Sequence, residues 1–198
     1  PHTGPGGQPT VDSDNFAGAW AATEHLLGLG HRRIAMLTGR PDLLSAKLRE
    51  QGFRQAMEAA GVPVDESLVR LGSYDPALAA EQAGRLLAGA GRPTAVFAAN
   101  DQMALGLLRA LWEAGRSVPG DVSVVGFDDI PEAGFLIPPL TTVRQDFTEV
   151  GHRAIEMLRA AISDGGPDGD VPDRLIQPEL VVRASTAAPR RSNRKAKA

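Results

Sequence analysis

Two short stretches of this 198-residue chain place hydrogen-bonding side chains at the ends of apolar runs. Asn100 and Asp101 follow Ala95–Ala99, and Asp128 and Asp129 follow Val122–Phe127. Apolar runs of this length read as buried parallel strands. Polar groups released at the carboxyl ends of such strands line a ligand crevice in open α/β sheets. Adjacent strand residues point to opposite faces, so Asp128 and Asp129 hold one metal between them only if the chain turns there. The reading adopted is therefore one carboxylate accepting hydrogen bonds from ligand hydroxyls or amines. Helix capping is the rival for Asn100, and Asp101 in the following first turn favours the helix dipole. Tyr74 follows another strand and offers a flat face to a sugar ring. Lys47 lies on a helix after the strand 33–37, where a lysine is ordinarily a solvated charge.

The rest of the sequence narrows the chemistry. The four histidines (2, 25, 31 and 152) lack metal-ligand spacing, and there are no cysteines for disulfides, thiolate catalysis or metal binding. Thr38-Gly39-Arg40-Pro41 lacks the further glycines of a dinucleotide turn, and no Gly-x-Ser-x-Gly elbow occurs. No nucleophile–base pair emerges, so the reading is binding without catalysis or cofactor. Aromatics make up 5% of the residues, too few for stacked recognition of single strands. Net charge is -3, and without Arg190, Arg191, Arg194, Lys195 and Lys197 the body carries -8. Such a body does not present a nucleic-acid surface. No apolar run approaches the ~20 residues of a membrane span, and the Gly/Pro-rich start, Pro1 to Pro9, does not read as a signal peptide.

The elements that would position these residues alternate. Residues 1–10 read as loop. Asp14 or Asn15 caps a helix over about 15–28, and a strand covers 33–37. Ser45 caps the next helix, whose apolar positions include Leu48, Phe53, Ala56 and Met57. Strand 68–71, helix 77–89, strand 94–99, helix 101–114, strand 122–127, a proline-rich loop, strand 140–143 and helix 147–163 follow. Residues 165–172 read as loop, 175–182 as a final strand, and the basic stretch beyond Ala184 as a disordered tail. Short connections and continuous apolar strands predict a doubly wound parallel α/β sheet.

From Val11 to about Thr186 the sequence resembles the effector-binding region of lactose-repressor/galactose-repressor (LacI/GalR) family transcription regulators. The residues that carry the resemblance are Asp14-Asn15, Gly30-His31-Arg32-Arg33-Ile34, Gly52-Phe53-Arg54, Phe97 to Asp101, Val118 to Asp129, Pro138-Pro139-Leu140-Thr141-Thr142-Val143 and Pro178 to Arg183. The resemblance implies one lobe, mainly the C-terminal one, of a periplasmic-binding-protein-like fold. An effector domain is expected over 11–186, with 145–165 crossing toward an N-terminal lobe, a linker over 1–10 and a basic tail over 187–198. It further implies a sugar or related effector held by Asp14, Lys47, Tyr74, Asn100, Asp128 and Phe147. Lys47 departs from the arginine common at its matched position, exchanging a planar fork for a point donor. The family reads operator DNA as a dimer through a helix-turn-helix, which this chain lacks, and works in the cytoplasm. An exported sugar-binding protein of the same fold, and a phosphoryl-transfer or hydrolase domain using Asp128, Asp129 and Lys47, are the alternatives.

Overall fold

A computed structural model describes residues 10–88, 91–163 and 174–190. The expected linker up to residue 9, the loop over 165–172 and the tail beyond 190 lie outside the described residues. In chain order the elements are β1 (Val11–Ser13), α1 (Asn15–Gly28), β2 (Ile34–Thr38), α2 (Leu44–Ala59), β3 (Val69–Leu71), α3 (Pro76–Ala88), β4 (Ala95–Ala98) and α4 (Asp101–Glu113). Then come β5 (Ser123–Asp128), a short 3-10 turn at Pro131–Phe135, β6 (Thr141–Arg144), α5 (Phe147–Ser163), β7 (Arg174–Ile176) and β8 (Glu179–Val181).

Six strands form the main sheet in the order β3-β2-β4-β5-β6-β8. The first five run parallel, and β8 joins the β6 edge antiparallel, with Val143 opposite Leu180. The chain steps from β2 outward to β3, then returns past β2 to β4. Right-handed crossovers taken in opposite directions put α2 on one face and α3 and α4 on the other. The contacts agree: α1 packs on α2, and α3 packs on α4. Strands β2 and β4 are buried along their whole length, as expected of a sheet covered on both faces. The order reverses between β2 and β4, which makes their carboxyl ends the topological switch point.

Close packing is bought with glycine at two places. A Cβ on Gly18 would lie 2.8 Å from the Phe127 ring, so α1 can rest on β5 only there. A Cβ on Gly52 would lie 2.4 Å from the Phe16 carbonyl, so α1 and α2 touch backbone to backbone.

Several expected features differ. The strand expected at 175–182 is two strands in two sheets: β7 pairs with β1, while β8 pairs with β6. Pro178 between them has no N–H to give a ladder, and the chain changes sheet there. The sheet is accordingly mixed at one edge rather than wholly parallel. Helix α2 starts after Leu43, with no side-chain cap, rather than on Ser45. The chain is not free after Ala184. Ser185 is buried, its hydroxyl bonded to the Val124 carbonyl. The Ala187 N–H donates to Ser123 Oγ, and His31 Nε2 reaches the Ala187 carbonyl at 2.9 Å. Arg190 pairs with Asp121. Buried polar groups at the amino ends of the strands need partners, and residues 185–187 supply them.

Candidate functional site

The crevice at the switch point is organised around Arg49. Helix α2 turns its buried face, Ala46, Arg49, Gly52, Phe53, Ala56 and Met57, toward the sheet. Arg49 lies on that stripe one turn from the helix start, so its stem passes through the core and its guanidinium emerges above the strand ends. There Nε donates to Asn15 Oδ1 at 2.8 Å, and Nη1 donates to the Ala99 carbonyl at 2.6 Å and to Asp128 Oδ1 at 3.3 Å. Its Cζ lies 3.7 Å from the centroid of the Phe127 ring and 5.9 Å from that of Tyr74. A guanidinium so held is a rigid, planar donor.

Asp128 is the other half of the pair. It ends β5 with φ at 114°, and Asp129 follows with φ at 52°. The chain turns between them, and the two carboxylates take different partners. Asp128 Oδ1 accepts from Arg49 and, at 2.7 Å, from Gln145 Nε2; its second oxygen has no partner among the described residues. Burial pushes the Asp128 carboxyl up, opposed by the Arg49 charge and the Gln145 hydrogen bond. Asp129 is held by Arg144 and Arg183, each at 2.7 Å. It ties β5, β6 and the segment after β8 together and is spent there. An Asp128–Asp129–Lys47 centre for phosphoryl transfer is therefore not assembled.

The other expected site residues are placed as follows. Asn100 caps α4, its Oδ1 accepting from the Met103 N–H, and among the described residues its Nδ2 is uncommitted. Tyr74 sits at the crevice rim in the left-handed region, φ 62°. Its ring lies so close over Gly39 that a Cβ there would meet Cζ at 2.2 Å, and its buried hydroxyl has no partner among the described residues. Asp14 caps α1 through the Ala17 N–H and takes the Gln177 amide, one residue short of the Asn15 that meets Arg49. Lys47 is exposed on the outer side of α2, in a shallow groove with Glu50, Gln51, Arg54 and Gln55. Phe147 is 62% exposed at the start of α5. The structure thus brings Asn100, Tyr74 and Asp128 around Arg49 and leaves Lys47 and Phe147 outside.

Arg49, Asn15 and Gln145 are the residues that a reading of turn motifs missed. Helix periodicity carried a signal for Arg49: a charged residue on the apolar stripe of α2, whereas Lys47 lies off it. A concavity of about 500 Å³ at the opposite end of β2, floored by Ile34, Met57 and Leu68, shares no residue with this crevice.

This arrangement, a parallel sheet with a polar crevice at its switch point, defines a ligand-binding α/β lobe. Residues 23–186 match the family described as periplasmic binding protein-like domain. The HTH-type transcriptional repressor PurR of Haemophilus influenzae is 39% identical over 176 residues, 88% of this chain and 52% of that protein. A LacI family transcriptional regulator from Mycobacterium smegmatis superposes with a TM-score of 0.85 at 30% identity, covering 93% of this chain and 68% of that one. A complex of the transcriptional regulator CelR with cellobiose superposes with a TM-score of 0.83 at 39% identity, covering 90% and 54%. The chain belongs to the LacI family of transcriptional regulators, as part of its effector-binding domain. It spans about half the length of the curated relatives it matches. These relatives are regulators, so the exported-transport alternative falls away.

Proposed function

We propose that this chain forms one wall of the effector site of a LacI-type repressor that senses a neutral, polyhydroxylated ligand. The observation that carries the reading is the pairing of Asp128 with Arg49. The pair is internally neutral, and around it the crevice holds an Asp128 oxygen and an Asn100 Nδ2 without partners among the described residues, with the Tyr74 ring 5.9 Å from the guanidinium carbon. A carboxylate acceptor and an amide donor in one crevice suit the donor-and-acceptor hydroxyls of a sugar. An anionic ligand would meet the Asp128 carboxylate in the crevice, while Arg49 is paired with Asp128 and Arg144 and Arg183 are taken up by Asp129. The cellobiose bound to CelR is a ligand of this neutral class.

The chain's activity in this reading is binding, not catalysis. The full-length protein carries a helix-turn-helix, as the name of its PurR relative says of that protein, and acts on operator DNA in the cytoplasm as a homodimer. A first lobe closes over the crevice and covers the exposed apolar residues of α5, among them Phe147, Ile155, Leu158 and Ile162. Effector contacts favour one angle between the lobes. A coupling of ~1–3 kcal/mol would change operator affinity about 5- to 150-fold.

The test is a thermal-shift screen of neutral mono- and disaccharides, with sugar phosphates as controls, on the full-length protein. A true effector raises the midpoint by mass action, and Asp128→Ala removes that rise. A shift that survives Asp128→Ala, or one given by sugar phosphates alone, would overturn the assignment.

A further inference from the structure

Asp101 is fully buried in the first turn of α4, yet Asn100 already caps that helix. The Asp101 carboxylate points away from its own helix. Oδ1 accepts from the Thr142 hydroxyl on β6 at 2.7 Å, and Oδ2 accepts from the Ile130 N–H at 3.0 Å. One side chain thereby joins the end of β4, the middle of β6 and the turn that follows β5. That turn holds Asp128 and Asp129, two successive non-glycine residues at positive φ. Such a backbone persists only where its surroundings over-determine it. Gly126 shows that space is kept for the carboxylate, since a Cβ there would lie 2.0 Å from Asp101 Oδ1. The charged groups nearest to it are Asp128 and Asp129, themselves paired with Arg49, Arg144 and Arg183. Burial pushes the Asp101 carboxyl up to about 6, the two neighbouring aspartates adding to the rise and the two hydrogen bonds opposing it.

We propose that Asp101 is a positioning residue for the crevice: by holding the Ile130 amide and the Thr142 hydroxyl together, it fixes the turn that presents Asp128 to a ligand. The purpose of this device rests on the reading of Asp128 as a ligand contact, but the device itself is read without any ligand. A failed effector screen and a failure here are therefore distinguishable.

The experiment is residue-resolved amide hydrogen exchange on the 198-residue chain, comparing wild type with Asp101→Ala, Asp101→Asn and Thr142→Val. Asp101→Ala is expected to speed exchange at Ile130 about tenfold or more relative to Val96 and Leu107, because the turn loses a charge-assisted acceptor. Asp101→Asn keeps one acceptor oxygen for Ile130 and recovers most of that protection. Thr142→Val removes only the second anchor and gives a smaller, same-sign change. In wild type, Ile130 protection corrected for the intrinsic exchange rate rises as pH drops from 7 through about 6, because burial disfavours the Asp101 carboxylate more in the closed turn than in the opened, hydrated one, so the closed turn binds the proton more tightly. In Asp101→Asn that pH dependence is absent. Uniform acceleration of all core amides with Ile130 not singled out would reduce Asp101 to a general core residue and overturn the proposal. If Asp101→Ala does not fold, the pH dependence of wild type against Asp101→Asn decides, and an identical profile in both refutes it.

Discussion

Replacing Arg49 by leucine tests the crevice at its centre. The substitution keeps an apolar stem against the core and removes the guanidinium's polar contacts with Asn15 Oδ1, the Ala99 carbonyl and Asp128 Oδ1. It also removes the cation stacked on Phe127. Taking one partner from a buried ion pair costs roughly 3–5 kcal/mol. Asp128 keeps Gln145, and its side chain is 24% exposed, so the lower end applies to the pair. The orphaned Ala99 carbonyl adds about 1 kcal/mol, for a total near 3–4 kcal/mol. At ~2–4 °C per kcal/mol for a domain of this size, the thermal midpoint should fall by roughly 6–16 °C at pH 7. The loss should also depend on pH. Asp128 is already raised by burial, and without the Arg49 charge it rises further. A carboxyl whose folded pKa exceeds its unfolded value contributes stability below the unfolded pKa and loses it as pH rises through the folded one. Arg49→Leu should therefore approach wild type at pH 4 and diverge from it by pH 7. Arg49→Lys, which restores charge without the fork, should fall between. Circular dichroism melts of the three proteins from pH 4 to 8 give the result. A loss under 1 kcal/mol, or one that does not vary with pH, would refute the account of Arg49 as the charge that holds Asp128.

Three further outcomes are expected. His31 is buried between Thr94, Ser123 and the Ala187 carbonyl, and burial lowers its pKa below the usual 6.5; its contribution is thus present above pH 6.5 and lost as pH falls below it. His31→Gln, which cannot charge, should flatten the fall of the melting midpoint between pH 7 and 5, and an unchanged slope would remove His31 from that role. Gly39→Ala would put a Cβ 2.2 Å from Tyr74 Cζ and so push the ring off its seat. It should cost about 1–3 kcal/mol and at least halve the midpoint shift given by a sugar that stabilises wild type; an undiminished shift would take Tyr74 out of the site. On α5, Phe147→Ser and Leu158→Ser replace exposed residues and should change the stability of this chain by no more than about 0.5 kcal/mol. In a protein that includes the first lobe the same changes should cost about 2–4 kcal/mol, and equal effects in both would refute coverage of α5 by that lobe.

The sheet was legible because its strands are uniformly apolar and its helices carry their own stops, such as Gly61 and Gly115, both at positive φ. The break at Gln177-Pro178 was harder to read. Strand propensity runs through both halves, and only the tertiary pairing of β7 with β1 separates them. Residues 185–187 were misread for a related reason. Their composition is that of a tail, and what orders them is the unmet hydrogen bonding of His31 and Ser123, more than sixty residues away. In the crevice, strand-end residues such as Asp128 and Asn100 were visible because each follows an apolar run. Arg49 shows in the sequence only as a charge on an apolar helix stripe, because the partners that stabilise its buried guanidinium come from three separate stretches, Asn15, Ala99 and Asp128. The different fates of Asp128 and Asp129 follow from a backbone turn at positive φ, which no side-chain pattern encodes in non-glycine residues.

One amide links the crevice to the part of the chain that leads into it. Asn15 Nδ2 donates to the Ser13 carbonyl at 2.9 Å, while its Oδ1 accepts from Arg49 Nε at 2.8 Å. Ser13 ends β1, which pairs with β7 and lies against α5, outside the main sheet. Arg49 belongs to α2, packed on the main sheet. In the proposed repressor, a rotation of the β1–β7–α5 unit against the sheet would act on the Asn15 bridge from its Ser13 side. The Arg49 side is a charge-assisted bond, of a kind that contributes roughly 1.5–3 kcal/mol. Coupling between sites in allosteric proteins is typically 1–3 kcal/mol. Under the proposed function, a single side chain at this crossing is of the right magnitude to make an angle between lobes sensitive to what Arg49 and Asp128 hold. The sensitivity would run in both directions, because a coupling between two binding equilibria is reciprocal.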